Sequence, residues 1–356
     1  MTHFIETFPG PEIEINKKTY LYFGGTAYLG LQYNTEFQEI FKANILKYGT
    51  SYGASRKSNV RLSIYDEVER FLASWTGSEA CVTLSSGYLA AQLVSDRFSS
   101  DKYRAFYAPN CHAALFPSSS EKKKRKPYIT YTSLNIAVRQ HLEMNPEVVP
   151  VILMDSIDFS GTNFPDFEGI KALPLEKVIL IVDDSHGIGV VGPAGAGVYP
   201  ILAKLGIREL LVCCSLGKAM GVQAGAIFCS QKRCKDLVDT DFYGGASPAA
   251  PAYMATLLDA REILTSKREY LKEHITVFSR EIEKFSAISK IPDYPVYSYT
   301  DKSLTNFLLE HQIIVTDFSY PTEAADLTSR IVLSAGHESR HLAELSKHLK
   351  SYFNKG

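Results

Sequence analysis

A lysine set among glycines, Leu216-Gly-Lys-Ala-Met-Gly221, follows directly on the apolar run Leu210–Ser215. Lysine is almost never buried without a partner, and its amine becomes a nucleophile, for instance toward a carbonyl group, only where its surroundings lower its pKa. Taken alone, Lys218 reads as a solvated turn residue. One strand-sized run upstream, however, Val178-Ile-Leu-Ile-Val-Asp-Asp-Ser-His-Gly187 ends in two acids and a histidine. In open α/β sheets ligands gather beyond the carboxyl ends of the strands, where Asp183 and His186 would stand. These residues read either as a pair that holds a cofactor or, with Asp184, as half of a metal site. No second His or Cys stands at ligand spacing nearby, and a metal site usually needs three or four ligands, so no metal is expected.

Pyridoxal phosphate chemistry requires a lysine for the covalent link, a carboxylate facing the ring nitrogen, and donors for the phosphate. Lys218 and Asp183 are candidates for the first two, and Ser215, three residues before the lysine, for a phosphate donor. A second anion cradle is available at Leu84-Ser-Ser-Gly-Tyr-Leu89, where a strand gives way to a helix whose first amides point outward.

The elements that must position these residues follow from the pattern of short apolar runs and helical stretches. Ala80–Leu84, Arg104–Tyr107, Val149–Met154, Val178–Asp183, Leu210–Ser215 and Ala224–Cys229 read as strands, several of them continuously apolar as buried parallel strands are. Ser63–Trp75 places Ile64, Val68, Phe71, Leu72 and Trp75 on one helical face, which is ordinary core packing. The expected fold is α/β, a mainly parallel, doubly covered sheet. A long helical stretch, Ala252 to about Phe285, follows Pro248-Ala-Ala-Pro251. Strands near Ile313–Asp317 and Arg330–Ser334 and a final helix from Ser339 suggest a smaller α+β unit. The expected division is an N-terminal segment 1–44, a cofactor-binding domain 45–250 and a small domain 251–356.

With 356 residues, 45% of them apolar, and a formal charge of −1, the chain can bury a sizeable core and has no global electrostatic partner, so nucleic acid is not expected. No apolar run approaches the roughly 20 residues of a bilayer span, and no secretory signal is visible, which makes the cytoplasm the expected location. Six cysteines without CxxC spacing read as small buried hydrophobes. The charge run Glu121–Lys126 reads as a solvated loop, with an anion-attracting patch as the alternative.

The chain resembles the α-oxoamine synthases among the fold-type-I pyridoxal-phosphate enzymes, from Tyr28-Leu-Gly-Leu31 to Arg330-Ile-Val-Leu-Ser-Ala-Gly-His337. The likeness is strongest over Val182-Asp-Asp-Ser-His-Gly-Ile-Gly-Val190 with Gly192-Pro-Ala-Gly-Ala-Gly197, over Ser215-Leu-Gly-Lys-Ala-Met-Gly221, and over the loop Tyr48–Arg56. The resemblance implies that Lys218 carries the cofactor and moves protons, that Asp183 pairs with the ring nitrogen and that His186 bonds the phenolic oxygen. It further implies that His112 stacks on the ring, that Arg330 grips the substrate carboxylate, and that Ser86, Gly87, Tyr88 and Ser215 bind the phosphate.

Departures from the family pattern bear on substrate identity. Thr26-Ala27 stand where Asn-Asp or Asn-Asn is usual, Tyr65 replaces a histidine, Phe159-Ser-Gly-Thr-Asn163 replaces Ser-Met-Asp-Gly-Asp, and Gly244-Gly-Ala-Ser-Pro248 replaces a Ser-Thr before a double proline. The resemblance implies a homodimeric acyltransferase that joins a small α-amino acid to an acyl thioester, carried by coenzyme A or an acyl carrier protein, with loss of carbon dioxide. Transamination or retro-aldol cleavage on the same fold, or a binding protein that has lost turnover, are the alternatives.

Overall fold

The computed structural model describes residues 2–117, 126–318 and 328–354. Residues 121–125 of the charge run lie outside the described residues. Along the chain the strands are β1 (Glu12–Ile15), β2 (Lys18–Phe23), β3 (Ala80–Leu84), β4 (Tyr103–Tyr107), β5 (Val149–Asp155) and β6 (Ile179–Asp183). There follow β7 (Glu209–Ser215), β8 (Gly225–Cys229), β9 (Ser289–Lys290), β10 (Val296–Tyr299), β11 (Ile313–Val315) and β12 (Ser329–Val332).

Two compact units form: Glu39–Arg261, and Met1–Gln38 together with Glu262–Gly356. These bounds differ from the expected ones, after residues 44 and 250. In the structure β2 pairs in parallel with β11, which ties the N-terminal segment to the last third of the chain. At the other boundary, helix Pro251–Asp259 packs on helix Ile64–Thr76 and so belongs to the larger unit.

The larger unit is built on a six-stranded sheet of order β3-β8-β7-β6-β5-β4. Strands β4 to β7 run parallel, and β8 is antiparallel to both its neighbours. Strand β3 therefore points the same way as β7, and the carboxyl ends of β3 to β7 share one edge. Every residue of β6 and β8 is buried, because helices cover both faces and neither face needs polar residues. The core includes Val82, Leu84, Val151, Leu153, Ile179, Ile181, Leu211 and Ile227, each side chain contributing on the order of 1.5–3 kcal/mol by burial. Helix Ile64–Thr76 buries Ile64, Val68 and Leu72 as the periodicity requires.

The smaller unit holds two three-stranded sheets, β1-β2-β11 and β12-β10-β9, and the closing helix Ser339–Phe353. Within it His337 stacks on Phe23 with ring centroids 4.3 Å apart and sits 3.0 Å from the Tyr22 carbonyl through Nε2. Burial lowers its pKa to about 4, so it packs as a neutral ring.

Candidate active site

The register of the large sheet decides which residues meet. Asp155 of β5 lies opposite Asp183 of β6, which lies opposite Cys213 of β7. On the other side Ser215 of β7 and Leu84 of β3 both face Gly225 of β8. One edge of the sheet thus brings together the segments that carry His112, Asp155, Asp183, His186, Lys218 and the turn at Ser86.

Lys218 leaves the end of β7 and its Nζ lies 2.7 Å from Nε2 of His186. Burial lowers its pKa, and the carboxylates of Asp183 and Asp155 partly offset that. A buried amine of lowered pKa is the nucleophile that Schiff-base chemistry needs. The His186 ring is in edge contact with Phe159 at 4.9 Å, and Phe159 adopts a left-handed backbone, φ 57°, uncommon for a bulky residue.

Asp183 accepts the Ser185 amide at 2.9 Å. Its neighbour Asp184 is a structural acid: it accepts Ser156 Oγ at 2.6 Å and the Val198 amide at 3.0 Å. Burial raises the Asp184 pKa to about 7. The glycines of the surrounding motif follow from this acid. A Cβ on Gly187 would come within 2.0 Å of one Asp184 oxygen, and a Cβ on Gly197 within 2.0 Å of the other. Gly197 also has φ +72°. Gly197→Ala is therefore expected to cost about 2–5 kcal/mol, from left-handed strain and overpacking together. Denaturant unfolding measures it, and a loss below about 0.5 kcal/mol, the range of an ordinary surface substitution, would show that the acid yields.

His112, beyond β4, donates its amide to Asp155 Oδ1 at 3.0 Å and accepts the Ala114 amide on Nδ1 at 3.1 Å. Burial lowers its pKa, Asp183 raises it and Lys218 lowers it further. Ser86 caps the helix Gly87–Arg97, accepting the Leu89 amide at 3.2 Å. Gly87 stands so close to β7 that a Cβ would lie 2.6 Å from Ser215 Cα. Ser215 donates its amide to Ser185 Oγ at 2.8 Å and accepts the Gly217 amide at 3.2 Å. The Tyr88 side chain is exposed, so a part for it in an anion cradle falls to its main-chain amide. Among the described residues no three His, Cys, Asp or Glu side chains group to hold a metal.

Arg330 and Thr26 belong to the smaller unit. Arg330 exchanges two main-chain bonds with Thr316, at 2.9 and 3.0 Å. Burial lowers its pKa, and the phenols of Tyr28 and Tyr294 act against that. Thr26 is half-buried and accepts the Tyr28 amide on its carbonyl. Tyr65 is a core residue: its hydroxyl donates to the Ala249 carbonyl at 2.7 Å, and the Arg56 guanidinium lies 4.2 Å from its ring centroid. Sequence reasoning passed over Asp155, Ser185 and the Phe159 contact with His186. A strand-end acid at Asp155 was the one available signal.

The residues present fit pyridoxal phosphate. A desolvated amine faces a carboxylate field, and a helix amino terminus is packed too tightly on β7 to admit even a methyl group. The family model for aminotransferase class I and II matches residues 18–349. The chain belongs to this family. Similar curated proteins include an 8-amino-7-oxononanoate synthase of Vibrio cholerae, 29% identical over 95% of this chain and 89% of that protein. Another, of Fervidobacterium nodosum, is 25% identical over the same shares. A serine palmitoyltransferase variant from S. paucimobilis with bound PLP–myriocin aldimine superposes with TM-score 0.82, at 16% identity, over 99% of this chain and 92% of that one. An 8-amino-7-oxononanoate synthase from Francisella tularensis gives 0.68, at 19% identity, over 94% and 99%. These two solved structures establish the shared fold-type-I architecture. Within the aminotransferase class I and II family the chain falls among the α-oxoamine synthases, pyridoxal-phosphate-dependent enzymes of acyltransferase type.

Proposed function

We propose that the chain condenses a small α-amino acid with an acyl thioester, releasing the thiol and carbon dioxide and leaving an α-amino ketone. The observation that carries this reading is the Lys218–His186 pair set beside Asp183 at neighbouring strand ends, in a chain whose curated relatives are named 8-amino-7-oxononanoate synthase. Lys218 would hold pyridoxal phosphate, with Asp183 at its ring nitrogen, His186 at its phenolic oxygen and His112 against its face. Ser86, Gly87, Tyr88 and Ser215 would donate to its phosphate. When bound, that group supplies an electron sink for charge at the amino-acid α-carbon.

Lys218 Nζ, once free of the cofactor, is the base that takes the α-proton, and burial, which lowers its pKa, favours the neutral amine that a base must be. His186, 2.7 Å away, orients that nitrogen. Arg330 is the proposed ligand of the substrate carboxylate, for which its planar fork is suited, with Thr26 where the family's asparagine contact would be. A homodimer and a cytoplasmic location belong to the same reading. Among the described residues no helix is long and apolar enough to cross a membrane.

The test is incubation of the purified protein with glycine, alanine or serine and a series of acyl-CoA and acyl carrier protein thioesters. Thiol release matched one-to-one by carbon dioxide and an amino ketone is the expected result. Formation of a keto acid with no thiol released would make the protein an aminotransferase instead.

A further inference from the structure

Strand β5 ends in the half-buried Asp155, whose carboxyl accepts the main-chain amide of His112 at 3.0 Å. The mount is rigid on three sides. The Asp155 carbonyl accepts Asn163 Nδ2 at 2.6 Å. Strand pairing sets Asp155 opposite Asp183, and the next residue, Ser156, donates its amide to the Asp183 carbonyl at 2.9 Å. The carboxyl therefore ties two things that must keep their spacing: the loop carrying His112, beyond β4, and the strand end carrying Asp183.

We propose that Asp155 is a positioning residue of the reaction, its side-chain oxygen fixing the His112 loop against the strand end that presents Asp183. The proposal rests on the functional reading of His112, Asp183 and Lys218 given above.

The surroundings suit an acceptor rather than a second charge. Burial comes first and the Asp183 carboxylate second in pushing the Asp155 pKa well up, with Asp158 acting the same way and the His112 amide and Lys218 acting against. Two carboxylates on adjacent strands in a poorly hydrated site do not both ionise readily. A neutral carboxyl keeps its carbonyl oxygen for the His112 amide. Its role is then geometric, and an amide can imitate it.

Asp155→Asn preserves an acceptor oxygen at the same place, while Asp155→Ala removes it. In Asp155→Ala we expect the yellow lysine-bound cofactor to remain, amino-acid affinity from spectral titration to change less than about 3-fold, and kcat to fall about 10- to 100-fold, as misplacement of a catalytic group does. Hydrogen exchange of the 108–116 peptide should quicken in the same variant. Asp155→Asn should recover kcat to within about 5-fold and restore slow exchange. If Asp155→Ala does not fold, Asp155→Leu, branched like aspartate but without an acceptor, must give the Ala pattern. Unchanged kcat in the Ala or Leu variant, or an Asn variant as impaired as these, overturns the proposal. A wild-type protein that binds no cofactor at Lys218 would instead defeat the underlying reading, and the two failures are separate.

Discussion

Lys218→Ala is expected to yield a protein that no longer holds pyridoxal phosphate covalently and whose turnover is reduced by about 10⁴-fold or more, since one side chain supplies both the nucleophile and the base. The amine sits at the end of a fully apolar strand interior, where burial disfavours the ammonium form, and an imidazole nitrogen of His186 lies 2.7 Å from it. An amine whose ammonium form burial disfavours is available as a nucleophile. Borohydride reduction of the wild-type protein followed by peptide mapping should find the cofactor on Lys218 alone. An adduct on another lysine, or an Ala variant with ordinary turnover, refutes the assignment. His186→Ala is the natural companion, because it removes the 2.7 Å contact while leaving the lysine in place.

The second large effect is expected at Asp183. Asp183→Asn should retain the shape of the strand end, including acceptance of the Ser185 amide at 2.9 Å, and so should still fold and take up cofactor. What it loses is a negative charge, and with it the stabilisation of a proton on the ring nitrogen. Electrostatic stabilisation in a water-poor site is worth far more than in solution, so exchange of the amino-acid α-proton with deuterated solvent should slow by about 10³-fold, each tenfold corresponding to about 1.4 kcal/mol. Proton NMR of glycine or alanine incubated with the variant measures it. Exchange at the wild-type rate would remove Asp183 from the chemistry and leave the neighbouring acids to be considered.

Much of this was legible in the residues, for reasons that differ from place to place. Strand Ala80–Leu84 was predicted with the bounds it has, since an apolar run flanked by polar residues has one way to be buried. The edge carrying Asp183 and Lys218 was equally legible, because parallel strands leave their carboxyl ends together. The helical stretch expected from Ala252 to about Phe285 forms as two consecutive helices, Pro251–Asp259 and Arg261–Glu281. No glycine or proline marks the break. It falls beside Asp259, whose carboxylate accepts Asn44 Nδ2 at 2.9 Å while the same amide reaches Thr256 Oγ1 at 3.3 Å, a contact from more than 200 residues away that local propensity does not register.

The sequence by itself determined the chemistry on offer: a lysine after one buried strand, an acid and a histidine after another, and glycines where helix and sheet must approach. These depend on local composition and on the alternation of buried runs, which are properties of neighbours along the chain. Only the tertiary structure decided which acid does what. Asp183 and Asp184 are adjacent and chemically identical, yet strand geometry sends their side chains to opposite sides, one toward the field around Lys218 and the other into bonds with Ser156 and Val198. It also set Asp155 beside Asp183 and under the His112 amide, and joined β2 to β11. Pairings of this kind are fixed by register between distant segments, and register is a property of the folded sheet.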